Sequence, residues 1–87
     1  MLKEKQFVVG DETYTVRELT IGQMMPLMER LQGDEATKAQ MDMVALSVHD
    51  SSGPLSDRVS DLGFSAYMEL SRYVMSVNGI DAGEGNE

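Results

Sequence analysis

His49, Asp50 and Ser51 are consecutive and carry the three side-chain types of a nucleophilic triad. Such a triad is assembled by a fold from separate parts of the chain. Neighbouring residues cannot serve as nucleophile, base and orienting acid for one another. No nucleophile-elbow pattern accompanies them, so His49 is expected to be an ordinary loop or helix-end histidine. A structural zinc site needs several Cys or His at fixed spacing; the chain has one His and no Cys. Asp50-Ser51-Ser52-Gly53 faintly suggests a calcium loop. However, the alternating acidic ligands are missing and Leu55 stands at the sixth position, where glycine is required. The expectation is a protein with no catalytic residue, no metal and no cofactor, and not an enzyme.

Leu62-Gly63-Phe64-Ser65 resembles the prosthetic-group site of acyl carrier proteins, which are also small, acidic and helical. The Asp-Ser-Leu of that family is absent, the serine comes late, and an N-terminal hairpin does not belong. That assignment is rejected.

What remains is a surplus of methionine. Seven internal ones stand at 24, 25, 28, 41, 43, 68 and 75. Methionine is unbranched and polarisable and packs against irregular or changing surfaces at low cost. Met43, Met68 and Met75 lie on apolar stripes and are expected in the core. Met24, Met25 and Met28, with Leu31, are crowded onto one short helix of a small domain, which offers few neighbours to bury them. They read equally as core and as a repackable surface for a partner, and these four residues form the candidate partner-binding site.

The bulk properties limit what such a partner can be. Fifteen acidic and seven basic residues give a net charge of −8, and the basic ones (Lys3, Lys5, Arg17, Arg30, Lys38, Arg58 and Arg72) are scattered singly. Nucleic-acid binding needs a basic stripe that displaces counterions from phosphate, and an anionic membrane surface would repel this chain. No apolar run approaches the roughly 18 residues of a membrane span. The N-terminal MLKEKQF lacks the apolar core of a signal peptide. The expected location is the cytoplasm.

The elements that position the methionines are legible. In QFVVGDETYTVREL, Phe7 and Val9 alternate with Val8, and Tyr14 and Val16 with Thr13 and Thr15. The two runs flank Gly10-Asp11-Glu12 and predict a hairpin. Thr20-Ile21-Gly22-Gln23 matches a capping box. Ile21, Met24, Met25, Met28 and Leu31 follow as a helical stripe. Pro26, six residues past the cap, would remove a backbone bond and press on the Gly22 carbonyl. Either the helix kinks there or it begins near Met25 with Pro26 in its first turn; the second is preferred. Gly33 ends it.

Asp34 is the expected cap of a second helix, DEATKAQMDMVALSVHD. Ala36, Ala39, Met43 and Leu46 form one stripe and Met41, Val44, Ala45 and Val48 another, as in a central helix with neighbours on several sides. His49 to Asp57 reads as a loop, and Ser56 to Asp61 has room for one helical turn. A third helix covers FSAYMELSRYVMSVN, with Phe64, Tyr67, Met68, Ser71, Val74 and Met75 on one face and Leu70, Tyr73 and Val77 extending it. Asn78-Gly79 stops it. Residues 81–87 are acidic and Gly-rich and predict a disordered tail. The fold class is α+β: residues 1–80 as a single small domain, a two-stranded antiparallel hairpin packed on three helices.

Tyr14-Thr15-Val16-Arg17-Glu18-Leu19 followed by Thr20-Ile21-Gly22-Gln23-Met24 resembles the small tail assembly chaperones of tailed bacteriophages, the type of Mu-like contractile-tailed phages. The methionine-containing helix, the Ser/Gly loop from Asp50 to Leu55, the Asp61-Leu62 step and the helix ending at Asn78-Gly79 extend the likeness over roughly residues 6–80. The resemblance implies a non-enzymatic chaperone that binds the tape-measure protein, and the tail-tube protein as a further partner. It would keep the tape-measure protein soluble in the host cytoplasm while the tube polymerises, then leave before the virion matures. Weak homo-oligomers are compatible with that role. The rival expectations are a small acidic phage regulator or inhibitor of a host protein, and a minor structural tail or baseplate protein.

Overall fold

The computed structural model describes residues 2–80 and has an α+β architecture. β1 (Glu4–Val9) and β2 (Glu12–Arg17) pair antiparallel from Glu4↔Arg17 to Val9↔Glu12. Gly10, at φ +64°, opens the two-residue loop between them. Glycine at the first central position gives a turn whose twist matches that of the flanking strands. As the alternation predicts, Val9, Tyr14 and Val16 are buried while Val8 faces solvent.

Helix α1 (Ile21–Leu31) leads into α2 (Ala36–Ser47); a 3-10 helix (Ser56–Asp61) and α3 (Phe64–Val77) follow. α2 is central, packing on α1, α3 and the 3-10 helix. Val16, Met43, Val44, Val48, Leu70 and Val74 are fully buried around it. The sheet also rests on α3, where the Phe7 and Tyr73 rings stack with centroids 3.9 Å apart.

Three local expectations are corrected. The second helix was expected over 34–50 but spans Ala36–Ser47. Asp34 is not its cap. Glu35 holds that position, and its carboxylate accepts from Arg30 Nε at 3.2 Å instead of from the helix amides. At the other end the apolar periodicity runs on, but the Ser47 hydroxyl donates to the Arg17 carbonyl and fixes the helix end against β2. The chain then turns extended, with Val48 at ψ 132°.

Part of the expected 49–57 loop is accordingly strand. β3 (Val48–Asp50) pairs with β2 through Val16↔Val48 and Thr15↔His49, and β4 (Gly53–Pro54) pairs back on β3. The N-terminal hairpin is thus half of a four-stranded sheet ordered β1-β2-β3-β4.

The third correction concerns α3, whose buried side chains are Leu70, Ser71, Val74 and Val77. The face carrying Phe64 and Met68 is turned outward, and both are exposed. Ser65, Glu69, Arg72 and Ser76 form a polar stripe on α3, and Leu70, Val74 and Val77 lie opposite it. Phe64 and Met68 stand at the margin of the broad apolar arc, so the expected face of α3 is rotated toward that margin. Its end is as expected: Gly79 at φ +75° lets its own amide donate to Ser76 and that of Ile80 to Met75, the reciprocal pair of a Schellman stop. The predicted tail, 81–87, lies outside the described residues.

Candidate functional site

The candidate site lies on α1, and its geometry begins at the cap. Thr20 Oγ1 accepts from the Gln23 amide at 3.2 Å, and Gln23 Oε1 accepts from the Thr20 amide at 2.9 Å. This reciprocal box starts the helix at Ile21, not near Met25, so Pro26 sits inside it. Proline there forgoes one backbone bond to Gly22. The box secures the first turn independently of that bond. Just before the cap, the Leu19 amide donates to Asn78 Oδ1 at 2.7 Å and ties the start of α1 to the end of α3. At the far end Arg30 reaches Glu35 at 3.2 Å and Asp42 at 2.9 Å, clamping α1 to α2.

Held at both ends, α1 presents two apolar sectors. Each residue turns the helix by about 100°. Met24, Leu27 and Leu31 fall within one sector of roughly 60°, while Ile21, Met25 and Met28 fall within another, about 90° away. The first sector faces inward. Leu27 is 4 % exposed, and Met24 and Leu31 are half-buried against the core. In the second sector Ile21 is 80 % and Met25 56 % exposed, with Met28 half-buried.

The four candidate residues therefore do not form one surface. Met24 and Leu31 contribute to packing, and Met25 faces solvent with Met28 at its margin. Two signals were missed. Leu27, absent from the expected stripe, is the inward anchor, and Ile21, counted as a stripe member, is the most exposed apolar side chain of α1. The spacing of Met24, Leu27 and Leu31 (i, i+3, i+7) in a helix capped at Thr20 is the signal that could have found Leu27.

A second apolar exposure lies at the start of α3, where Phe64 is 75 % exposed. Phe64 and Tyr67, with Thr37, Met41, Val59 and Leu62, border a shallow cavity of about 280 Å³.

His49 and Asp50 are the last residues of β3 and point to opposite faces of the sheet, while Ser51 lies in the turn that follows. His49 pairs across the sheet with Thr15; burial and then the nearby Arg17 charge lower its pKa. Asp50 binds Arg58 Nη1 at 2.7 Å and Nη2 at 3.1 Å. These bonds, with one from the Ser52 amide, hold its carboxyl below the usual range. The pair closes the β3–β4 turn onto the 3-10 helix, where Arg58 also donates to the Pro54 carbonyl at 2.8 Å. Among the described residues no three His, Cys, Asp or Glu side chains are grouped to hold a metal ion. No helix among them is long and apolar enough to cross a membrane.

Compared with protein-family models, with curated proteins and with solved structures, the chain matches none.

Proposed function

We propose that this chain is a non-enzymatic assembly chaperone of the phage-tail type, which binds the tape-measure protein in the cytoplasm and keeps it soluble while the tail tube forms. The observation that supports this reading is the outward sector of α1. Ile21 and Met25 stand exposed on a helix whose inward sector is already occupied by Leu27. Leaving an isoleucine and a methionine side by side in water loses burial energy that the fold could have used. A partner's apolar helix face laid on them regains it. Methionine adapts to partner segments of varied sequence, and the net charge of −8 keeps the complex soluble.

The test is co-expression. A tape-measure protein from the same genome is produced alone, with this chain, and with an Ile21→Ser/Met25→Ser variant. The proposal predicts a soluble, co-purifying complex with the natural chain and loss of both with a variant of unchanged circular dichroism. No gain in solubility and no co-purification with the natural chain would refute it.

A further inference from the structure

The exposed end of the sheet carries a separate interaction surface. β1 is an edge strand. The Glu18 amide donates to the Lys3 carbonyl at 2.8 Å. Lys3 and every second residue after it (Lys5, Phe7, Val9) therefore turn their backbone groups toward β2. Leu2, Glu4, Gln6 and Val8 turn theirs outward, and all four are exposed. Their side chains share the sheet face opposite Phe7, because strand residues alternate. Two of them are large and apolar, Val8 at 65 % and Leu2 at 52 % exposure.

We propose that β1 pairs antiparallel with β1 of a second copy, about a two-fold axis through Lys5, to form a continuous eight-stranded sheet. The register is specified by the strand's own sequence. With Lys5 on the axis, Leu2 of each copy faces Val8 of the other and Glu4 faces Gln6. Every outward residue then meets a side chain of its own kind, apolar with apolar and polar with polar. The four facing pairs supply about eight backbone hydrogen bonds, two per pair. A register shifted by two residues places Leu2 opposite Gly10 in one direction and carries Val8 beyond Leu2 in the other. Both shifts leave an apolar side chain unmatched.

The same residues keep the contact weak. The two Lys5 side chains meet at the axis, and lysine on an edge strand opposes pairing. Each copy also brings a charge of −8. Screening these repulsions with salt strengthens the association. The surface is distinct from the outward sector of α1, so its success or failure does not depend on the function proposed above.

The experiment is sedimentation velocity on the full chain at concentrations from about 10 µM to about 1 mM, the range suited to a small interface. The expected result is a monomer–dimer equilibrium that tightens with salt. Val8→Lys, at an exposed position that leaves the fold intact by circular dichroism, weakens it about tenfold by removing two cross-strand apolar pairs. Leu2→Glu combined with Val8→Lys restores it, because a carboxylate then faces an ammonium at both ends. Met25→Ser leaves it unchanged. A chain that stays monomeric throughout, a dimer indifferent to Val8→Lys, a double variant no better than Val8→Lys alone, or a dimer abolished by Met25→Ser would each overturn the proposal.

Discussion

Met25 and Leu27 lie two residues apart on α1 and face different surroundings, Leu27 at 4 % exposure in the core and Met25 at 56 % in solvent. Truncating them should separate stability from recognition. Leu27→Ala removes a buried leucine side chain and should cost about 2–4 kcal/mol. Met25→Ser should stay within about 0.5 kcal/mol of the natural chain. Urea denaturation of both variants measures the contrast, and equal losses would mean that Met25 is core.

The bond from the Leu19 amide to Asn78 Oδ1 joins elements far apart in the chain, while Asn78 Nδ2 donates to the Val74 carbonyl at 2.9 Å. Asn78→Ala removes both and strands the part-buried Leu19 amide. The expected loss is about 1–3 kcal/mol, which thermal unfolding would record as a Tm lower by several degrees.

Ser71 is buried on α3, and its hydroxyl finds no hydrogen-bond partner among the described residues. Ser71→Ala removes an unsatisfied polar group and installs a better helix former. It should raise stability by about 0.5–1 kcal/mol in chemical denaturation. A loss of that size would show that the hydroxyl is satisfied.

Acid should act through Asp50. Arg58 and the Ser52 amide lower its carboxyl pKa in the folded chain. Its contribution is therefore complete above the ordinary carboxylate range and lost as pH falls through the depressed folded value. Arg58→Met should flatten stability against pH below about pH 4. His49 acts in a higher window. Its folded pKa lies below the ordinary 6.5, so the neutral ring is favoured and stability falls as pH drops from about 7 through that lowered value. His49→Gln should remove that step and leave the acid one, which urea midpoints measured across pH will show.

The sequence disclosed the elements better than their orientations. The Phe7/Val9 and Tyr14/Val16 alternation, the Thr20/Gln23 capping box and the Asn78-Gly79 stop each rest on local chemistry, and each is found where that chemistry placed it. What local pattern could not supply was choice among neighbours. Val48 continues the helical stripe of α2 but is fully buried in a strand because Val16 stands ready to pair with it. On α3, Leu70 and Val77 lie opposite the polar stripe of Ser65, Glu69, Arg72 and Ser76 and take the core. The apolar arc is wider than the contact, and where the sheet and α2 lie leaves Phe64 and Met68 at its margin outside. The same ambiguity divided the methionines of α1. Their spacing marked a broad apolar surface, and only the position of Leu27 under α2 shows which part is free.

The most direct test of the account follows the methionine methyl groups by NMR, in the chain labelled at methionine, as an apolar helical segment of the tape-measure protein is added. The account predicts that the Met25 and Met28 signals move first and furthest, while buried Met43 stays in place. Movement confined to Met68, beside Phe64 on α3, or no movement at any methionine, would contradict the assignment of the outward sector of α1 as the binding face.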